Sequence, residues 1–186
     1  MIDTPRLLLR AWRETDRAPW AELVADPEVM RFLGPPRDRA AADDEIDRAI
    51  AHQKCHGFTF WAIERREDGA FLGFCGLKRV IDASPILGAV EIGWRLRRDS
   101  WGSGYAREAA QATLAWAFGD AGLDRVVAMT VAANTRSWGL MERLGMTRRP
   151  DLDFDHPRLA ADDPLRRHIV YDIIAPAEGE TGSSPD

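Results

Sequence analysis

The chain has 186 residues, 45% of them apolar and 30% charged, and a formal net charge of −5. That is an ordinary soluble composition, long enough for one domain with a proper core. It argues against a membrane span, because no apolar run approaches the roughly 20 residues a bilayer requires, and the acidic balance argues against DNA as a partner.

The first residues, Met1, Ile2, Asp3, Thr4 and Pro5, lack the basic-then-apolar pattern of a secretory signal. Cys55 and Cys75 show no metal-type pairing, so a reduced, cytoplasmic setting is expected. Residues 6–12 predict a first strand after Pro5. Glu14, Thr15 and Asp16 offer a helix start, with Thr15 or Asp16 as its cap. Trp20, Leu23 and Val24 share one face of that helix. Asp26–Pro27 and Gly34–Pro35–Pro36 break the chain. Residues 38–56 predict a second helix, with Ile46 and Ile50 four apart. Residues 58–64 and 71–77 predict strands joined by a hairpin turn at Glu67, Asp68 and Gly69.

Residues 81–88 read as a loop and residues 89–96 as a strand. Residues 107–121 predict an alanine-rich helix; Ala106 just before it and Ala109, Ala110 and Ala117 within it allow close approach to a sheet, and Gly122 serves as the C-terminal cap. Residues 125–131 predict a buried strand. Asn134, Thr135, Arg136 and Ser137 open another helix, which runs to about Leu144 and stops at Gly145. Residues 146–149 can start a strand, residues 151–164 are irregular, and residues 167–174 form the last strand. Residues 176–186 read as a disordered tail. One α/β domain over residues 1–175 is expected, with a mixed sheet and helices on both faces.

Between the strand at 89–96 and the following helix lie Trp101, Gly102, Ser103, Gly104, Tyr105 and Ala106. A glycine-bearing turn feeding a helix N-terminus points unpartnered amides and dipole charge at a ligand, and suits phosphate. No Lys–Ser/Thr follows the glycines, which excludes a Walker A loop. The three glycines of a dinucleotide fingerprint are also missing. An ordinary turn before a helix is the alternative reading.

The segment resembles the pyrophosphate-binding loop of the GNAT acetyl-CoA-dependent N-acetyltransferases, whose pattern is Gln/Arg-x-x-Gly-x-Gly/Ala. Trp101 departs at the first position, and the form Trp-Gly-x-Gly-Tyr-Ala is similar to the RimJ/RimL-type branch. Asn134, Ser137, Leu140, Met141, Leu144, Gly145 and Met146 resemble the family's Asn-x-x-Ala-x-x-Leu-Tyr-x-x-x-Gly-Phe segment. Thr4 to Arg10 is similar to the branch's opening strand.

The resemblance implies a GNAT fold in which the strands at 89–96 and 125–131 splay apart around the pantetheine arm of acetyl-CoA. Backbone groups of Ile92, Trp94 and Leu96 would pair with the arm, Asn134 would hydrogen-bond it, and Trp101 to Ala106 would cradle the pyrophosphate with no metal needed. Glu91 is the candidate base for the amine, directly or through a water. Met141 replaces the tyrosine that quenches the departing thiolate in many members, leaving the Ser137 hydroxyl as the candidate acid.

The plainer readings are a solvated or arginine-paired Glu91, a Ser137 that satisfies helix-end amides, and Asn134 as a helix cap. His156 and His168 fit a loop role or an acceptor pocket. Arg95, Arg97 and Arg98 are either solvated or meet the adenosine phosphates. The implied partner is an amine, a protein N-terminus or a small molecule, acting on a monomer or homodimer. A catalytically silent acyl-CoA-binding module and an ATP-binding protein are the competing classes.

Overall fold

The computed structural model describes residues 1–176, so the expected tail beyond Pro176 lies outside the described residues. The chain runs through β1 (Ile2–Asp3), β2 (Leu7–Arg10), α1 (Arg17–Ala25), α2 (Pro27–Met30), α3 (Arg39–His56), β3 (Phe60–Arg65), β4 (Phe71–Arg79) and β5 (Val90–Leu96). It continues through α4 (Tyr105–Phe118), β6 (Arg125–Val131), α5 (Thr135–Arg143), β7 (Thr147–Arg148), β8 (Phe154–Asp155) and β9 (Arg167–Ile174). These strands form one sheet in the order β1-β2-β3-β4-β5-β6-β9-β7, with β8 beside β9. All pairings are antiparallel except β5 with β6. This is the expected mixed α/β sheet.

Period-two alternation sorts each strand's side chains between two layers. On one face Leu9, Ile63, Leu77, Ile92, Val126 and Ala128 pack with Ala109, Ala110, Leu114 and Ala117 of α4 and Met141 of α5. The alanines allow α4 to lie close. On the other face Ala62, Phe71 and Phe74 meet Trp20, Leu23 and Val24 of α1 and Ala42 and Ile46 of α3. A smaller cluster of Val80, Ile86, Val127, Phe154 and Val170 lies toward β9.

Several expected boundaries shift for local reasons. The first strand is only β2, because the Arg6 N–H turns to Glu108 and the Trp12 indole donates to the Phe60 carbonyl. β3 starts at Phe60, since Thr59 Oγ1 donates to Ala49 O and Phe58 O bonds His52, tying both residues to α3. Asp16 does not cap α1. It closes a 3-10 turn over Glu14–Asp16 by accepting from the Arg13 N–H and pairs with Arg10 at 2.7 Å. Helix α4 starts at Tyr105 and ends at Phe118, so Gly119 rather than Gly122 takes the C-cap. The irregular stretch after Arg149 contains a 3-10 turn, Pro150–Leu152, and the short β8 paired with β9. β6 and β9 have the expected limits.

Candidate functional site

β5 pairs with β4 from Val90 to Leu96, and β6 pairs with β9 from Arg125 to Val131. Between them, β5 and β6 share one register pair, Glu91 opposite Val127. Toward their C-terminal ends the two parallel strands form no further pair, and an unpaired wedge separates their edges. The β4–β5 hydrogen bonds fix which groups face it. Arg97 N–H donates to Leu72 O and Val80 N–H to Ala89 O, both at 2.9 Å. Such pairs recur every second residue, so the backbones of Glu91, Gly93 and Arg95 face β4, and those of Ile92, Trp94 and Leu96 face the wedge.

The three strand residues expected to offer backbone groups differ in what they have free. Trp94 presents N–H and C=O with no β6 partner. Ile92 lies next to the rung. The carbonyl of Leu96 is taken by the Trp101 indole N–H at 2.9 Å, leaving its N–H. Trp101 thus pins the loop to the strand end.

A 3-10 turn over Arg98–Ser100 leads into the loop. Gly102 and Gly104 have φ of +77° and +81°, a region closed to most residues with a Cβ. A Cβ on Gly102 would touch no protein atom within 4 Å, so that side of the loop is open. Gly104 is the N-cap of α4 and has no capping side chain, so the amides of Tyr105, Ala106 and Arg107 have no intrahelical acceptor.

Arg6 holds this loop from outside. Its Nη1 donates to Ser103 O at 3.0 Å, its Nε to Glu108 Oε2 at 2.6 Å, and its guanidinium lies 4.7 Å from the Tyr105 ring centre. The Thr4 hydroxyl and the Arg6 N–H donate to Glu108 Oε1 at 2.7 and 2.9 Å. Burial pushes the Glu108 carboxyl up, but the bonds from Thr4 and Arg6 outweigh it and leave it below the usual carboxylate range. With Glu108 so neutralised, the positive potential of the helix end is preserved. Arg136, at the start of α5, stacks over the Trp101 ring at 4.9 Å.

Alternation places Glu91, Gly93 and Arg95 on the α1–α3 face, opposite Ile92 and α4. Glu91 is buried, 9% exposed, and its partner is Lys78 rather than an arginine, with Nζ 3.5 Å from Oε2. No directed hydrogen bond reaches that oxygen. The expected Arg95, Arg97 and Arg98 cluster does not exist as one group. Arg97 pairs with Asp99 and Arg98 with Asp26, whereas Arg95 turns under the helices toward Glu45. Burial pushes the Arg95 pKa down, and Glu45 only partly offsets it.

Asn134 does not cap α5: its Nδ2 donates to Thr130 Oγ1 at 3.0 Å, which leaves the side-chain carbonyl without an intramolecular bond. Ser137 is half-buried one turn on, with its backbone N–H bonded to Asn134 O. α5 packs on the α4 face, so Ser137 and Glu91 approach the wedge from opposite sides. His156 and His168 come together with ring centres 5.1 Å apart, and His156 lies 3.9 Å from Asp82. Burial and the neighbouring His168 hold the His156 pKa below the ordinary value.

The acetyltransferase (GNAT) domain family matches residues 6–147. The chain belongs to that family. YkkB of Bacillus subtilis (strain 168) is 30% identical over 145 residues, covering 77% of this chain and 83% of YkkB. The acetyltransferase from Agrobacterium tumefaciens shares 27% identity and superimposes with a TM-score of 0.75 over 92% of each chain. RimL, a ribosomal alpha-N-protein acetyltransferase in complex with coenzyme A, has the same fold at 18% identity, with a TM-score of 0.75 over 92% of this chain and 96% of its own.

The chemistry of a GNAT cosubstrate fits the groups present: helix-end amides for a diphosphate, Trp94 backbone groups with no β6 partner for an amide-bearing arm, and a buried carboxylate at the rung whose Oε2 accepts no hydrogen bond. Among the described residues, no three His, Cys, Asp or Glu side chains group as a metal site, and no helix is long and apolar enough to cross a membrane. Lys78, Arg6 and Glu108, and the pairing of Arg95 with Glu45, escape a reading of the sequence. β5 ends at Leu96, so Arg97 and Arg98 leave the strand while Arg95 stays on its α1–α3 face, and the β4–β5 register puts Lys78 opposite Glu91. Nothing local points from Arg6 to Glu108.

Proposed function

We propose that the protein moves the acetyl group of acetyl-CoA directly to a primary amine while both substrates are bound. The observation that carries this reading is the single β5–β6 rung, with the buried Oε2 of Glu91, which accepts no hydrogen bond, beside it. Acetyl-CoA supplies the activated acetyl group. The amides of Gly102 to Ala106 would bind its diphosphate, Trp94 and the Leu96 N–H its arm, and the Asn134 carbonyl an amide N–H. Ile92 and Trp101 line the path.

Glu91 takes the proton from the incoming ammonium, and Lys78 balances its charge at rest without occupying the lone pair. The freed amine forms the new C–N bond as the C–S bond breaks. Ser137, on the opposite face, gives a proton to the departing sulfur in place of the absent tyrosine, and the second proton that the nitrogen loses as the amide forms restores its hydroxyl. A backbone N–H in the wedge meets the charge that develops on the acyl oxygen. The form of the phosphate loop favours the RimJ/RimL-type branch, and RimL's bound coenzyme A supports the cosubstrate assignment. A cytoplasmic location suits the chemistry.

Met141, where many GNAT members place tyrosine, favours a second reading as a catalytically silent acyl-CoA-binding module. A thiol-release assay with acetyl-CoA and an amine panel separates the two. Release above the hydrolysis background is expected with at least one amine. Tight acetyl-CoA binding with no release on any amine selects the module.

A further inference from the structure

The face of β5 under α1 and α3 carries a charge imbalance that acetyl transfer alone does not use. Glu45 of α3 serves two cations: its Oε1 takes Arg37 Nε at 2.8 Å, and its Oε2 lies 3.5 Å from Arg95 Nη1. Two guanidiniums and one carboxylate leave one positive charge in excess. Arg95 holds the weaker share. Its side chain is 15% exposed and lies over the rings of Trp20 and Phe74, 5.2 and 5.5 Å from their centres. Its Nε is buried with no hydrogen-bond partner, and so is the indole Nε1 of Trp20, the ring beneath it. Buried donors left unpaired are costly, and a poorly paired cation more so. Two such donors beside an excess positive charge fit an oxyanion.

Glu91, four residues earlier on the same face, presents the converse, a buried carboxylate oxygen that lacks a donor. Cα atoms four apart on a strand are about 13 Å apart, a span that Glu and Arg side chains shorten. Between them Gly93 has no side chain, and the Phe60 ring takes that space: a Cβ on Gly93 would lie 3.0 Å from Phe60 Cζ. Phe60 stacks on Phe74 at 4.7 Å, completing an apolar strip from one charged end to the other.

We propose that the acceptor is an amine that also carries an oxyanion, of carboxylate or phosphonate type, with its amine at Glu91 and its oxyanion on Arg95 and Trp20. This rests on the acetyl-transfer reading above. A polyamine would set a second cation against Arg95 and is disfavoured.

The test is calorimetric titration of the protein's CoA complex with ω-amino carboxylates of increasing chain length, the matching alkylamines and the matching diamines. At one chain length the amino carboxylate is expected to bind about tenfold or more tighter than the alkylamine, with the diamine weakest. Arg95→Met should erase that preference. Trp20→Phe, which keeps the ring and removes the N–H, should cut it several-fold and decides the matter if the arginine variant does not fold. CoA affinity of each variant serves as the fold check. Alkylamines or diamines binding as tightly at every length, or a preference that survives the substitutions, overturns the proposal.

Peptides with Asp or Asn after the N-terminal residue form a separate arm. A gain with Asp alone assigns the oxyanion to a protein N-terminus rather than a small molecule. Turnover is read independently as thiol release from acetyl-CoA. An anion preference without release on any amine removes the transferase reading and keeps the pocket; release on all amines alike, without preference, does the reverse.

Discussion

Arg6 Nη1 donates to the Ser103 carbonyl at 3.0 Å, so a residue just before β2 sets the shape of the glycine loop at the far end of β5. The same guanidinium fixes Glu108 in the first turn of α4. Arg6→Ala releases both. Coenzyme A affinity, measured by calorimetry, should fall roughly tenfold, about 1.4 kcal/mol, while kcat at saturating acetyl-CoA stays within about twofold. An unchanged affinity would mean that the loop holds its shape without Arg6.

The Glu108 contacts are sensitive to acid. In the folded chain its carboxyl lies below the free value of 4.5, so the contribution to stability is present above that pH and is lost as pH falls through the folded value. Glu108→Gln should therefore lower Tm near neutrality, and the gap to the native protein should close in acid. A gap of constant size from neutrality to strong acid counts against a stabilising role for the carboxylate.

The two proton-transfer roles can be tested apart. Glu91→Gln should lower kcat by about 10²-fold or more, with acetyl-CoA affinity unchanged, and Ser137→Ala by about 10-fold or more. The readout is initial-rate thiol release at saturating substrate. If both variants turn over as the native enzyme does, the roles assigned to these residues are wrong even though the fold is right.

Cys75 is fully buried beside Thr113, and burial pushes its thiol up to about 12. Cys55 is exposed. A disulfide reagent should therefore titrate one thiol in the native protein and the second only on unfolding. The sign of the linkage adds a check. An unfolded thiol ionises near its free value of 9.0, whereas the folded one stays protonated, so Cys75 lowers stability as pH rises above that value. Cys75→Ala should lessen the alkaline loss of stability, measured as the change in Tm from neutral to alkaline pH.

The sheet and the geometry of the glycine loop were legible because their signals are local. β6 and β9 are apolar runs bounded by turns, and Gly102 and Gly104 mark the two positive φ angles of the loop. Boundaries moved where a side chain reached across the fold, as when Asp16 gave up a cap to pair with Arg10. The charge relations of the site were largely illegible for the same reason. Arg95 meets Glu45, and Arg6 meets Glu108, across long stretches of chain that only the packed layers bring together. Asn134 reads as a cap by residue type, but the register of α5 on β6 hands its amide to Thr130 instead.

On the acetyl-transfer reading proposed above, the lone rung between Glu91 and Val127 would give the two substrates separate doorways, one on each side of the sheet. A nucleotide-tailed thioester and a small nucleophile need not queue for the same entrance. Loading in either order is expected on that reading, and dead-end analogues of the two substrates should bind together and inhibit multiplicatively rather than exclude each other.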